Sequence, residues 1–282
     1  MPEIKETIAE LREKLQAEKI AARRGYWGYK LLHRGPSIYI TYLLLRTQIR
    51  PNHVSVVVLL VGIAGAVLAG LSPFSAKIAG IILLYLNLIL DEVDGEIARY
   101  KKIFSLRGVY LDAVNHLLVP PLFFASFVLG IARVTSLNET LLLAVGLLGA
   151  LSWMLIKAGG KMPLHIYLAR YAGRETDFNL AHTTGTRTEA ATAEKKKVFR
   201  TLFAARFQIR EFFSGLVIFF FILIGERLFL TPFELATHPW LSYAVIVYGL
   251  FLTLMAAEEV IKSFFLIEGR VKNVAEKFPI AR

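Results

Sequence analysis

Long apolar blocks separated by short polar segments dominate the chain from residue 51 onward. Each block has about 20 residues, the length at which an α-helix crosses the hydrocarbon core of a bilayer. The blocks predict six membrane spans, which begin near residues 51, 76, 105, 140, 212 and 240. The sequence therefore predicts an all-α integral membrane protein, a bundle of six transmembrane helices.

The first 50 residues follow a different pattern. Residues 3–24 alternate acidic and basic side chains at helical spacing, and Ile8, Leu11 and Leu15 form a narrow apolar stripe. This pattern predicts an amphipathic surface helix. The stretch that follows mixes aromatic residues with basic ones such as Arg34, a composition typical of the headgroup level of a membrane. We therefore expect an interfacial helix before the first span.

The net charge of +11 comes from Lys and Arg in alternate loops. Cytoplasmic loops collect these residues, so both termini are predicted to be cytoplasmic, in a bacterial or archaeal inner membrane. No nucleic-acid recognition motif accompanies the charge, so nucleic acid is not an expected partner. The predicted division is cytosolic amphipathic and interfacial helices at 1–50, a six-helix catalytic domain at 51–270 that includes a cytosolic loop at 171–208, and a cytosolic tail at 271–282.

An acidic cluster lies at the predicted cytoplasmic ends of the second and third spans. Asp91 and Asp94 share one helix face, and Asp112 and His116 share a face of the next helix. Carboxylates in or beside hydrocarbon are costly, so their convergence predicts an ion or substrate site. Hard divalent cations prefer oxygen ligands, and the absence of cysteine excludes a thiolate site. The alternative is a structural network in which these carboxylates pair with Arg99 and cap the helices.

The spacing of the cluster resembles the signature of the CDP-alcohol phosphotransferase family, D-x2-D-G-x2-A-R-x8-G-x3-D-x3-D. Seven of its eight fixed positions match, and the resemblance extends to Pro51-Asn52 at the start of the first span. A match at this many fixed spacings is far more specific than a lone glycine motif. The matching residues are Asp91, Asp94, Gly95, Ala98, Arg99, Gly108 and Asp112.

The resemblance implies a phosphotransferase of phospholipid or related polar-lipid synthesis. Such an enzyme moves a phospho-alcohol or phosphatidyl group from a CDP-linked donor, such as CDP-diacylglycerol, to an alcohol or phospho-alcohol acceptor, and it releases CMP. The resemblance also implies one or two Mg²⁺ or Mn²⁺ ions, contact with membrane lipids and a homodimer. By position, it implies metal binding by Asp91, Asp94 and Asp112 and contact with the CDP moiety by Gly95, Ala98, Arg99 and Gly108.

The chain departs from the signature at the eighth position, where His116 replaces the aspartate that acts as general base in the family. Imidazole accepts a proton near neutral pH, so His116 is a candidate base beside Asp112. It is also a candidate metal ligand through nitrogen, which favours Mn²⁺ or Zn²⁺. A third interpretation is that the base is lost and the protein binds CDP compounds without turnover. The neighbouring Asn115 is no substitute, because an amide takes up no proton at neutral pH.

Two lysines near the end of the fourth span are candidates for the acceptor site. Lys157 and Lys161 lie four residues apart, on one helix face, and would hold the phosphate of a phosphorylated acceptor. The alternative is ordinary positive charge on the cytoplasmic side. A transporter that uses the intramembrane Asp and His side chains is a further alternative, but it predicts inverted repeats or broken helices, which the sequence does not show.

Overall fold

The computed structural model describes residues 6–22, 32–171, 211–230 and 237–277. All regular structure in these ranges is helical. The helices are α1 (Ile8–Ala22), α2 (Arg34–Leu45), α3 (Pro51–Ala69), α4 (Phe74–Lys101), α5 (Leu106–Ala132), α6 (Glu139–Tyr171), α7 (Phe212–Phe229) and α8 (Pro239–Lys277).

Within the described ranges, α3 to α8 are the six helices that are long and apolar enough to cross a membrane, which confirms the predicted spans and the all-α membrane bundle. Helix α6 ends at Tyr171, at the start of the predicted loop at 171–208, and α8 continues to Lys277. Helix α8 therefore crosses the predicted tail boundary at residue 271. Most of the predicted loop at 171–208 lies outside the described residues.

The centre of the bundle is an aromatic cluster from α5, α7 and α8. The rings of Phe127 and Phe219 lie 5.1 Å apart, and Phe219 meets Tyr248 edge-on at 5.5 Å. All three side chains are buried. These rings therefore form protein core rather than a lipid-facing surface.

At the opposite end from the carboxylates, α3, α4 and α5 approach one another closely. A Cβ atom on Gly80 would lie 2.3 Å from the backbone nitrogen of Ala69, so only glycine allows this crossing. Lys77 lies in the same region and is fully buried, with its amine donating to the carbonyl oxygen of Leu71 at 2.6 Å. Lys77 belongs to α4 and ties the α3–α4 turn to the bundle.

Helix α1 packs on the bundle through the apolar stripe that the sequence predicted. Leu11 and Leu15 are buried in a second core cluster formed with α2, α3 and α4. At the start of α1, Lys14 and then Tyr100 donate hydrogen bonds to Glu6, and these bonds lower the pKa of its carboxyl group. The stripe therefore faces protein, and α1 is fastened to the end of α4 that carries the carboxylates.

A buried polar network joins α1 and α2 to α4. Its centre is Glu96, which is fully buried. Arg34, predicted at the headgroup level, is instead 3% exposed and pairs with both Glu92 and Glu96. A buried carboxylate requires such partners, because desolvation of an unpaired charge is costly. The donors to Glu96 are Arg34 Nη1 at 2.8 Å, Gln16 Nε2 at 2.9 Å, Ser37 Oγ at 2.8 Å and Thr41 Oγ1 at 2.6 Å.

We expect the Arg34→Met variant to lose about 3–5 kcal/mol of unfolding free energy, because it leaves Glu92 and Glu96 without their buried cation. Equilibrium denaturation of the purified protein in detergent measures this loss. Arg133→Met removes an exposed arginine and should change stability by about 0.5 kcal/mol or less. Equal effects of the two substitutions would contradict a stabilising role for the network.

Candidate functional site

A short turn between α4 and α5 brings the acidic residues together. Helix α4 ends at Lys101 and is capped by Lys102, whose φ of 54° lies in the left-handed region and whose backbone N–H donates to the carbonyl oxygen of Ala98. Ser105 then caps α5, accepting a hydrogen bond from the N–H of Gly108 at 3.0 Å. The antiparallel hairpin places the end of α4 beside the start of α5.

Asp91, Asp112 and His116 form a group that fits a divalent metal ion. Each offers one ligand atom, and these atoms lie within 4.8 Å of one another. His116 Nε2 is 3.6 Å from Asp91 Oδ2 and 3.7 Å from Asp112 Oδ1. Ligands around one ion at about 2.0–2.2 Å stand at comparable separations. Two carboxylates and an imidazole therefore suit a hard or borderline divalent ion such as Mg²⁺, Mn²⁺ or Zn²⁺ better than a soft metal.

Asp94 lies outside this three-residue group. Its Oδ2 accepts a hydrogen bond from Ser55 Oγ on α3 at 2.7 Å. The sequence placed Asp94 with Asp91 as a metal ligand, and the structure places it one turn further along α4, against α3. The charges of Asp91 and Asp112 act on it, so the three carboxylates share one electrostatic environment.

Two buried asparagines orient Asp91. Asn115 Nδ2 donates to Asp91 Oδ1 at 3.2 Å, and Asn87 Nδ2 donates to Asn115 Oδ1 at 3.0 Å. Asn87 Nδ2 also donates to the carbonyl oxygen of Val58 on α3 at 2.7 Å. Sequence reasoning missed this relay, although asparagine inside an apolar span is a signal for it, since such groups need partners there.

A cavity of about 840 Å³ opens beside the metal-ligand group. Its volume is in the range of small-molecule and cofactor sites. Six of the seven matching signature positions line it. The signature residues in its wall are Asp94, Gly95, Ala98, Arg99, Gly108 and Asp112. The other lining residues are Lys19, Pro51, Asn52, Ser55, Ile103, Phe104, Ser105, Leu106 and Val109.

Two of these positions are glycines, where the wall leaves little room for a side chain. A Cβ atom on Gly108 would lie 3.0 Å from Asn52 Oδ1, which itself accepts a hydrogen bond from Ser105 Oγ at 2.7 Å. A Cβ atom on Gly95 would lie 3.2 Å from Arg99 Nη1. Larger side chains would therefore displace polar groups of the wall or occupy the cavity.

Lys157 and Lys161, the predicted acceptor-phosphate residues, line a separate cavity of about 220 Å³. Its wall includes Trp153 and Glu211, and Glu211 is the N-cap residue of α7. The two cavities share no described lining residue. The lysines are thus together, as predicted, but they stand apart from the signature residues.

Fold and site together define an all-α membrane protein with a cavity, lined by acidic, basic and apolar residues, at one end of an α-helical hairpin. No protein-family model and no curated protein sequence matches the chain. A functional assignment therefore rests on the residues of the site themselves.

Proposed function

We propose that the protein is a CDP-alcohol phosphotransferase of phospholipid or related polar-lipid synthesis. It would move a phospho-alcohol or phosphatidyl group from a CDP-linked donor, such as CDP-diacylglycerol, to an alcohol or phospho-alcohol acceptor. The observation that supports this function is the convergence of six signature residues on one cavity, beside a group that fits a divalent ion. The proposal includes a homodimer, with both termini and the site on the cytoplasmic side of a bacterial or archaeal inner membrane.

The three aspartates supply the metal-binding part of the proposal. Asp91 and Asp112 would hold Mg²⁺ or Mn²⁺ with Asp94 completing the acidic set, and His116 Nε2 lies in the same group. When bound, the ion offsets the negative charge of the donor diphosphate. Asn115 keeps Asp91 oriented for this role through its 3.2 Å hydrogen bond.

The remaining side chains would bind the donor and move a proton. Arg99 offers planar donors to phosphate oxygens, and Gly95 and Gly108 leave room for the nucleotide. The acceptor oxygen forms a bond to the β-phosphorus while the bond from that phosphorus to the bridging oxygen breaks, and CMP leaves with the bonding electrons. The hydroxyl proton passes to His116, whose side chain is 45% exposed and accessible to an acceptor.

CMP release by purified protein in detergent tests the proposal. The assay combines CDP-diacylglycerol or CDP-alcohol donors with a panel of acceptors, in the presence of Mg²⁺ or Mn²⁺. Release that requires metal, donor and acceptor together is the expected result. CDP binding without CMP release from any pair would favour a silent CDP-binding protein. Cation or proton flux in proteoliposomes, without CDP binding, would favour a transporter.

We expect the double variant Lys157→Ala, Lys161→Ala to raise the KM for a phospho-alcohol acceptor by about tenfold or more, because a phosphate would lose its charged partners. The Kd for CDP should stay unchanged, since the lysines line a different cavity from the signature residues. Steady-state kinetics with a phosphorylated acceptor and its dephosphorylated counterpart measure the difference. An equal rise in KM for both acceptors would contradict phosphate binding by this pair.

A further inference from the structure

Helix α1 contributes one residue, Lys19, to the wall of the larger cavity. We propose that Lys19 is a binding residue for the diphosphate of the CDP donor and that Gln16 is a positioning residue that holds α1 in place for it. The identity of the ligand rests on the proposed function. Lys19 lies outside the signature segment, more than 70 residues before its first aspartate, Asp91.

The position of Lys19 is set by contacts along α1. Leu11 and Leu15 are buried, and Gln16 is fully buried. Gln16 Nε2 donates to Glu96 Oε1 at 2.9 Å and to the carbonyl oxygen of Arg34 at 2.8 Å. Residues three apart on a helix are neighbours on its surface, so Gln16 and Lys19 occupy adjacent turns of one side of α1. The buried side-chain amide of Gln16 thus holds the turn of α1 that carries Lys19 beside α4.

The polar contact of Gln16 is made next to the predicted nucleotide-binding segment. Glu96 directly follows Gly95, and Gly95 and Lys19 line the same cavity. A shift of α1 along α4 would break the hydrogen bond from Gln16 and move Lys19 relative to Gly95. Because the carboxylate of Glu96 is buried, losing a donor is costly. The contact therefore resists such a shift.

The charges of the cavity wall match a metal-bound diphosphate. Among the described lining residues, Lys19 and Arg99 are the cations and Asp94 and Asp112 are the acids, which balance in formal charge. A diphosphate diester with two negative charges and a divalent ion also balance. The metal-ligand candidate Asp91 adds a further negative charge beside this wall, so removal of Lys19 would make the site more negative.

Two other lysines near this end of the bundle, Lys14 and Lys101, lie outside the cavity wall. Lys101 Nζ donates to the carbonyl oxygens of Thr47 and Ile49 at 3.1 and 2.8 Å. Lys14 pairs with Glu6 at 2.9 Å on the outer side of α1. Neither lysine lines the cavity. Lys19 is thus the lysine of α1 placed to reach a ligand bound there.

Binding of CDP and of cytidine to the full chain in detergent with Mg²⁺ tests the role of Lys19. We expect Lys19→Ala to weaken CDP binding by about tenfold or more and to leave cytidine binding unchanged, since cytidine has no phosphate. Lys19→Arg should retain most of the CDP affinity. Lys14→Ala removes the same charge from the same helix and should change CDP binding little. Equal losses for CDP and cytidine, or for the two alanine variants, would overturn the proposal.

A double-mutant cycle tests the role of Gln16. Gln16→Ala should weaken CDP binding in the wild-type background and have no further effect in the Lys19→Ala background, because its contribution acts through Lys19. An undiminished effect in that background would overturn the positioning role. If CDP binding follows the expected pattern while no donor and acceptor pair gives CMP, the transferase proposal fails and the Lys19 site stands. Absence of CDP binding by the wild-type protein would overturn both.

Discussion

Replacement of Asp91 by asparagine is expected to lower the rate of CMP release by about a thousandfold or more. Asp91 belongs to the group that fits a divalent ion, and charge stabilisation by such an ion contributes several kcal/mol to a phosphoryl-type transition state. The substitution keeps the size of the side chain. Its amide oxygen can still accept the hydrogen bond from Asn115 Nδ2, so the expected loss is in chemistry and metal binding rather than in folding.

Rate measurements and Mn²⁺ binding on the same preparation check this expectation. Asp91→Asn should weaken Mn²⁺ binding, while the thermal midpoint stays close to that of the wild-type protein. Glu139→Gln, an exposed carboxylate in the first turn of α6, is the matched control and should leave both quantities unchanged. Retention of wild-type CMP release by Asp91→Asn would remove the metal-site basis of the proposed function.

Replacement of His116 by alanine is expected to lower CMP release by about 100-fold to 10,000-fold, the usual contribution of a general base. His116→Asp restores the residue of the family signature and should keep substantially more activity than the alanine variant. His53→Ala removes an exposed histidine of α3 and serves as the control. Wild-type activity in His116→Ala would contradict any part for this imidazole in the reaction.

The same variants distinguish a role of His116 as general base from a role as metal ligand. If His116 acts as the base, kcat falls in His116→Ala while the Kd for Mn²⁺ stays unchanged. If it acts as a ligand, the Kd for Mn²⁺ rises and excess metal restores part of the rate. Both roles are compatible with its Nε2 distances of 3.6 and 3.7 Å to the two carboxylates. Comparison of kcat with metal affinity therefore assigns the role.

The six spans were predictable because their apolar blocks have the length that a bilayer requires. The end of α8 was not, since a helix continues into polar sequence as long as its backbone hydrogen bonds persist. Hydropathy indicates where contact with the hydrocarbon core of the membrane ends, and the helix itself can continue beyond that point. The burial of Lys77 at the start of α4 could not be predicted either, because lysine side chains usually keep their charge in solvent.

The convergence of Asp91, Asp112 and His116 was predictable from helical spacing on two consecutive spans. The partners of these residues were not. Ser55 and Asn87 contact the site across helix interfaces, and their choice depends on how α3 rotates against α4 and α5. No local pattern in the sequence encodes that rotation.

The burial of Arg34 could not be predicted from the sequence, for a related reason. A short helix with basic and aromatic residues has the composition of an interfacial segment, whether its charges face headgroups or protein. The distinguishing partner, Glu96, lies 62 positions later in the chain, inside the signature segment, at a position the signature leaves open. Only the packing of α1 and α2 against α4 shows that the two charges neutralise each other.

The residues that line the two cavities come from different parts of the chain. Every described residue lining the larger one lies between 19 and 112, and every one lining the smaller lies between 153 and 211. During synthesis, the ribosome therefore delivers all these residues of the larger cavity before α6 emerges. On an evolutionary timescale, substitutions in the later half can reshape the smaller cavity while the earlier half is unchanged. Such an arrangement lets a lineage change the wall of one cavity without changing the residues that line the other.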